Sequence, residues 1–253
     1  MVGLFLLPPA LATILVDATE AARIAADPAA TVLDVRELPA YLLGHVPGAV
    51  RTDWRLGTSG STSGKIRDPV ALAAAYAALG VRSDAPVLVV GAWRDGWGDE
   101  GRVAWNLAWL GHPDVHVLRG GMGAWRKGTE MVPSRPDPGA FVAQVDPTLR
   151  VDARALRNGP DAWTIVDVRT PAEFAGATPY GELRGGHLPG AVNVEWGDLL
   201  AAPPTLPRDK PVAVYCTGGV RSGMAWVALA DAGYTVANYD GSWWEWSALY
   251  DVD

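Results

Sequence analysis

The sequence predicts an α/β protein of two similar halves, each a mainly parallel sheet with helices on both faces. Short β-branched apolar runs, typical of buried strands, alternate with helical patterns along the chain. A set of landmarks occurs twice in the same order, and a proline-rich stretch separates the two sets. We therefore expect an N-terminal domain of residues 1–128, an extended linker of residues 129–148 and a C-terminal domain of residues 149–253.

Composition narrows the possible functions. The 253 residues are 49% hydrophobic and 19% charged, which is enough to bury a substantial core. The net charge is −7 and no basic run occurs, so nucleic acid is not an expected partner. The chain has one cysteine and four histidines without ligand spacing, so we expect no disulfide framework, metal or organic cofactor.

The first 16 residues are apolar, with two prolines in the middle and no positive charge. They are too short to cross a membrane as a continuous helix and lack the basic start of a signal peptide. We expect an uncleaved extension leading into the first strand, no membrane partner and a cytoplasmic location. A single free thiol also fits a reducing compartment.

The elements of the first half follow from local patterns. Apolar runs at residues 32–35 and 87–90 predict strands, and helical patterns cover residues 68–79 and 100–110, each ending at a glycine. Residues 57–64, rich in Ser, Thr and Gly, predict a flexible surface loop.

The second half repeats the first. Asp-Val-Arg at residues 34–36 returns at 167–169, and Gly-His-x-Pro-Gly-Ala-Val at 44–50 returns at 186–192. The strand at 86–91 matches 211–216, and Ala-Trp at 104–105 matches 225–226. This register aligns Gly91 with Cys216. The first half therefore has no thiol at that strand end, and we expect it to be catalytically silent.

The only cysteine lies in the cysteine loop, which we define as residues 216–222. An apolar strand precedes Cys216, Gly218 and Gly219 follow it, and a helical pattern runs from Arg221 to residue 232. Adjacent glycines allow a tight turn whose N–H groups point inward, at the positive end of a helix dipole. Such surroundings lower a thiol pKa, so Cys216 is predicted to be a reactive thiolate.

These elements together resemble the two-domain rhodanese sulfurtransferases. The resemblance rests on the repeated Asp-Val-Arg and Gly-His-x-Pro-Gly-Ala elements, the Cys-x-x-Gly-x-Arg-Ser loop and the terminal Asp-Gly-Ser-Trp-x-Glu-Trp at residues 240–246. It implies two tandem rhodanese-like domains, an inactive first domain and a catalytic cysteine in the second. The implied reaction is covalent: the Cys216 thiolate takes a sulfur from an anionic donor, holds it as a persulfide and passes it to an acceptor.

The cysteine loop supplies most of the candidate site. Backbone N–H groups of the loop can stabilise the thiolate and the persulfide, and Arg221 suits the oxyanion group of a donor. The resemblance adds Arg184, because arginines from that region help to bind the donor in the family. An arginine common earlier in the region is replaced by Glu173. The predicted donor-binding residues are Thr217, Gly218, Gly219, Val220, Arg221, Ser222 and Arg184.

Asp167, Arg169 and Trp196 are predicted to support the site. Asp167 and Arg169 recur as Asp34 and Arg36 in the silent half, so their main role should be structural, although Asp167 could orient the loop or Arg169 through an ion pair.

Tryptophans complete the predicted surroundings of the loop. Trp196, with Trp93 and Trp97, could line a pocket between the halves. For each of them ordinary core packing is an equal alternative.

The resemblance implies two rival sulfur donors, thiosulfate and 3-mercaptopyruvate, and the loop residues are used to choose between them. We expect thiosulfate as donor, with 3-mercaptopyruvate as the alternative, because Arg221 adds charge for a sulfonate-like group. Cyanide or a small thiol would accept the sulfur, and a built-in pair of domains favours a monomer.

Two other functions remain open. A phosphatase of the cell-cycle type would need five residues between cysteine and arginine, whereas residues 217–220 are four. A non-catalytic sulfur-relay or binding module is the other.

Overall fold

The computed structural model describes residues 13–60, 63–202 and 205–250. Most of the predicted N-terminal extension lies outside the described residues. The first half contains, in chain order, β1 (Leu15–Val16), α1 (Ala18–Ala25), β2 (Thr31–Asp34), α2 (Leu38–Leu43), β3 (Val50–Arg51), β4 (Thr58–Gly60), β5 (Ser63–Ile66), α3 (Pro69–Ala78), β6 (Val87–Val90), α4 (Asp99–Trp109) and β7 (Val115–Leu118).

The second half contains α5 (Ala153–Asn158), β8 (Thr164–Asp167), α6 (Pro171–Phe174), β9 (Val192–Asn193), α7 (Trp196–Ala201), β10 (Val212–Tyr215), α8 (Val220–Asp231), β11 (Val236–Asn238) and α9 (Ser242–Leu249). Short 3-10 turns lie at Trp54–Gly57, Trp93–Asp95, Gly121–Ala124, Pro147–Leu149 and Pro160–Ala162.

Each half forms one parallel sheet, so the predicted α/β fold class is confirmed. The strand order of the first sheet is β1-β7-β6-β2-β3, and that of the second is β11-β10-β8-β9. The inner strands β6 and β10 are buried along their whole length. Their continuous apolar sequences are typical of parallel strands covered by helices on both faces.

The predicted long helices α3, α4 and α8 are confirmed, with ends that differ by one residue from the predicted ones. Local chemistry fixes the start of α3: the Asp68 carboxylate accepts a hydrogen bond from the Ala71 N–H at 2.9 Å, and Pro69 occupies the first turn.

The segment predicted to be a flexible surface loop is instead partly a β-hairpin. β4 and β5 pair antiparallel, with Thr58 opposite Ile66. The hairpin is held by the second half of the chain, since the Ile66 N–H donates to Asp240 Oδ2 at 2.6 Å. A composition rich in Ser and Gly could not reveal this contact, because its partner lies far away in the sequence.

The two halves meet where α4 packs on α8. A Cβ added to Gly101 would lie 2.2 Å from the Met224 Cα, and one added to Gly223 would lie 2.7 Å from the Arg102 Cα. The absence of a side chain at both positions lets the two helices approach closely. This contact brings α4 of the first half against the helix that follows Cys216.

Residues 131–146 contain no helix or strand. They nevertheless pack on the first half: the Gln144 N–H donates to the Leu110 carbonyl at 2.8 Å, and the Phe141 side chain is buried in the core. Across the described ranges, none of the helices combines the length and the apolar character that crossing a membrane requires.

Candidate active site

Cys216 lies directly after the buried strand β10, and three residues separate it from α8. Its side chain is buried, and the Gly219 N–H points at its sulfur with an N···Sγ distance of 3.1 Å. Gly219 has a φ of +80°, a left-handed conformation that favours glycine. The Cys216 N–H donates to Ser242 Oγ at 3.1 Å, so α9 also fixes the loop.

The surroundings of Cys216 favour the thiolate. Burial alone would raise the pKa of the Cys216 thiol, but the Arg221 charge, the Ser222 side chain and the N–H groups of Ser222 and Gly218 outweigh it. The pKa of Cys216 is therefore lowered from its ordinary value, as the sequence predicts for a thiol at the start of a helix.

Arg221 does not stand alone in the loop. Its guanidinium donates to both carboxylate oxygens of Glu173, at 2.8 and 2.7 Å, and to Thr217 Oγ1 at 2.6 Å. The Thr217 hydroxyl donates in turn to Glu173 Oε1 at 2.8 Å. Burial would raise the pKa of Glu173, but the hydrogen bonds and charge of Arg221 lower it to about 2. The loop arginine thus works beside an ionised carboxylate.

The cysteine loop forms the floor of a cleft between the halves with a volume of about 310 Å³. Both halves contribute to it, and its walls carry several aromatic rings. The lining residues are Trp54, Arg55, Trp97, Asp99, Tyr180, Cys216, Thr217, Gly218, Val220, Arg221 and Trp244. Trp97 and Tyr180 meet edge to face, and the Arg221 guanidinium carbon lies 5.7 Å from each ring centroid.

Asp167 and Arg169 form a buried ion pair away from the cleft wall. Arg169 Nη2 donates to Asp167 Oδ2 at 2.6 Å and to the Gly186 carbonyl at 2.7 Å. The first half repeats the arrangement: Arg36 Nη2 donates to Asp34 Oδ2 at 2.6 Å and to the Gly44 carbonyl at 2.8 Å. Since the half without a cysteine has the same clamp, a structural role is the better interpretation.

Three predicted residues lie elsewhere. The Arg184 guanidinium donates to the carbonyls of Ser247 and Tyr250 near the end of α9, and Arg184 is not part of the cleft lining. Trp196 is buried in the core, close to Gly98 at the start of α4. Trp93 packs against the same core, so of the three tryptophans only Trp97 lines the cleft.

The first half has no room for a thiol at the position that matches Cys216. A Cβ on Gly91 would lie 2.3 Å from Glu100 Oε2, so the Glu100 carboxylate fills the space that a cysteine side chain would need. Glu100 Oε1 accepts the Trp93 N–H at 2.7 Å. Burial raises the pKa of Glu100 to about 7.

Sequence reasoning missed several residues of the cleft, namely Trp54, Arg55, Tyr180 and Trp244, and it noted Glu173 only as a replaced arginine. The tryptophans had no distinguishing signal among twelve in the chain. Glu173 did have one, since an acidic residue where a cation is usual suggests an ion pair with a nearby arginine. No group of three or more His, Cys, Asp or Glu side chains in the described ranges is arranged to hold a metal ion.

Known proteins are similar to this chain in sequence and in fold. The family model of the Rhodanese-like domain matches residues 17–128 and 151–249. A thiosulfate sulfurtransferase of Corynebacterium glutamicum is 33% identical over 240 residues, covering 83% of this chain and 79% of that protein. The sulfur carrier protein TtuD of Thermus thermophilus is 31% identical, covering 89% of this chain and 90% of that protein.

A solved structure gives the same result for the fold. The crystal structure of the 3-mercaptopyruvate sulfotransferase SseA from Escherichia coli superposes with a TM-score of 0.77 at 28% identity, covering 92% of this chain and 99% of that one. The family model covers every strand of the two parallel sheets except β1, and the relatives span both halves. The chain belongs to the rhodanese family of sulfurtransferases, with a rhodanese-like domain present twice.

Proposed function

We propose that this sulfurtransferase moves a sulfane sulfur from thiosulfate to cyanide or a thiol through a persulfide on Cys216. The observation that carries the proposal is the N–H of Gly219 at 3.1 Å from the Cys216 sulfur, at the floor of a cleft. A thiol in that position has a lowered pKa and faces the space where a donor can enter.

The reaction divides into two displacements. The Cys216 thiolate attacks the outer sulfur of thiosulfate. The S–S bond of the donor breaks, and sulfite leaves with the electron pair of that bond. The enzyme then carries Cys216–S–S⁻, whose charge the loop N–H groups and Arg221 stabilise. Cyanide attacks the outer sulfur, thiocyanate leaves, and the Cys216 thiolate is regenerated. A thiol acceptor would leave as its own persulfide.

Two donors have support. The thiosulfate sulfurtransferase of C. glutamicum favours thiosulfate, and the likeness to the mercaptopyruvate enzyme of E. coli favours 3-mercaptopyruvate. Arg221 can contact a sulfonate or a carboxylate, and its pairing with Glu173 reduces the net charge offered to either. A protein acceptor, which the name of the T. thermophilus carrier suggests, would use the same persulfide.

The proposal includes the domain boundaries, the oligomeric state and the cellular compartment. The division into residues 1–128, a linker of 129–148 and a catalytic unit of 149–253 is supported by the two family matches on either side of the linker. A monomer would suffice, because both walls of the cleft come from one chain. A persulfide on a free cysteine fits a reducing compartment such as the cytoplasm.

Mass spectrometry of the intact protein tests the proposal directly. After incubation with thiosulfate, the chain should gain the mass of one sulfur atom and lose it when cyanide is added. Cys216→Ser is the matched control, since it keeps a small polar side chain and removes the thiol. Steady-state kcat/KM for thiosulfate and 3-mercaptopyruvate on the same preparation then ranks the donors. Sulfur transfer by the serine variant, or no mass gain with either donor, would contradict the proposal.

A further inference from the structure

Arg102 reaches the cysteine loop from the half that has no cysteine. It lies on α4 and is completely buried. Its Nη1 donates to the Gly219 carbonyl at 3.1 Å and its Nη2 to the Gly64 carbonyl at 2.7 Å, while Nε donates to Asn106 Oδ1 at 3.0 Å. One guanidinium therefore joins α4, the β4–β5 hairpin and the loop around Cys216.

A single residue, Gly219, connects Arg102 to the sulfur of Cys216. The Gly219 carbonyl accepts from Arg102, and the Gly219 N–H donates to Cys216 Sγ at 3.1 Å. A Cβ on Gly219 would lie 2.4 Å from Arg102 Nη1, so the guanidinium packs directly on this residue. Holding the carbonyl limits the rotation of the Gly219 backbone, which also carries the N–H that points at the sulfur.

The charge of Arg102 has no direct carboxylate partner among the residues that the structure describes. All three acceptors of its hydrogen bonds are neutral. Asp240, the nearby acid, accepts from Arg150 Nε at 2.8 Å and from the Ile66 N–H. A buried charge without a counter-ion is costly. Burial lowers the pKa of Arg102, while Asp240, Tyr76 and, after them, Cys216 act to raise it.

The other charged groups around Cys216 are already matched or lie in the cleft. Arg221 on α8 is paired with Glu173 on α6. Arg55 on the cleft wall lies 3.3 Å from Asp53. Asp99 and Tyr180 line the same cleft. Arg102 is buried, does not line the cleft and contacts the loop at the Gly219 carbonyl.

We propose that Arg102 is a positioning residue for Cys216: it holds the Gly219 N–H on the sulfur and supplies a buried positive charge that favours the thiolate and the persulfide. The inference rests on the proposed role of Cys216. The half without a thiol then takes part in the reaction, because the anionic sulfur is stabilised from both halves of the chain.

The rate of alkylation of Cys216 by iodoacetamide, measured against pH in the full chain, tests this. The chain has a single cysteine, so the rate reports one thiol. In Arg102→Met we expect the midpoint of the profile to rise by about one pH unit, together with a loss of kcat/KM of about tenfold. In Arg102→Lys the rise should be smaller, because the charge stays and the two-pronged donor is lost.

Arg36→Met is the matched control. Arg36 is also an almost buried arginine of the first half and donates to a backbone carbonyl, but it is paired with Asp34. The Arg36→Met variant should have a lower free energy of unfolding and an unchanged midpoint of alkylation against pH. If both Arg102 variants keep the wild-type midpoint of alkylation against pH, the inference is overturned. If Arg102→Met does not fold, a wild-type midpoint in Arg102→Lys alone overturns it. Failure of the wild-type chain to take up sulfur would contradict the proposed function and leave this alkylation measurement valid.

Discussion

Glu173 accepts two hydrogen bonds from the Arg221 guanidinium, at 2.8 and 2.7 Å, and both side chains are buried next to Cys216. The cation of the cysteine loop is therefore offset before a donor arrives. A dianion such as thiosulfate meets a site whose strongest positive charge is shared with a carboxylate.

We expect Glu173→Gln to lower the KM for thiosulfate about three- to tenfold, because removing one negative charge at this range changes the interaction by ~1 kcal/mol. The free energy of unfolding should fall by about 3 kcal/mol, since a buried ion pair loses one partner. Steady-state kinetics and urea unfolding measure the two effects. Glu37→Gln, at a side chain that is 79% exposed, should change neither. A rise in KM would show that Glu173 serves to orient Arg221.

Glu100 should make stability depend on pH. Its pKa is raised by burial from an ordinary 4.5 to about 7, so ionisation is harder in the folded chain than in the unfolded one. Its contribution to stability is complete below about pH 4.5 and is lost as the pH rises to about 7. We expect Glu100→Gln to gain about 3 kcal/mol relative to the wild type between pH 4 and pH 8. Urea unfolding at both pH values measures the gain, and an equal difference at both would contradict it.

The contact between α4 and α8 should be intolerant of any side chain at Gly101. A Cβ there would lie 2.2 Å from a backbone atom of Met224, which cannot move as a side-chain end could. We expect Gly101→Ala to cost more than about 2 kcal/mol of unfolding free energy. Gly123→Ala is the control, because no atom lies within 4 Å of the added Cβ. Equal melting temperatures for the two variants would show that the helices can separate without cost.

The repeated clamp allows a comparison within one molecule. Asp34→Asn and Asp167→Asn each remove the charge of a completely buried carboxylate paired with an arginine. Both should lower the free energy of unfolding by about 3–5 kcal/mol. If the clamp is structural, the kcat of the folded fraction should stay within about twofold in both variants, as measured by sulfur transfer after correction for folded protein. A loss of kcat confined to Asp167→Asn would mean that Asp167 also orients the cysteine loop.

The fold was readable from the sequence because its signals are local and occur twice. The apolar runs of β6 and β10 and the glycines that follow α3, α4 and α8 set strands and helices by short-range chemistry. The position of Cys216 between a strand and a helix could be predicted for the same reason, since the glycines and the helix start adjoin Cys216 in the chain.

The residues that contact the cysteine loop from distant parts of the chain could not be predicted from the sequence. Arg102 contacts Gly219 across 117 positions of the sequence, and Glu173 meets Arg221 across 48. The contacts of Arg184 could not be predicted either, because only the packing of α9 decides which carbonyls its guanidinium reaches. Contacts between distant segments follow from tertiary packing, and local patterns do not encode them.

The carboxylate that occupies the space beside Gly91 makes a thiol hard to introduce into the first half. Gly91→Cys alone would force a new side chain against Glu100 within a packed core, so the single change should harm folding without creating a usable sulfur nucleophile. Shrinking residue 100 first would leave room but would remove the group that accepts the Trp93 N–H. A second catalytic centre would thus need both positions to change together, so single substitutions leave the molecule with one reactive sulfur.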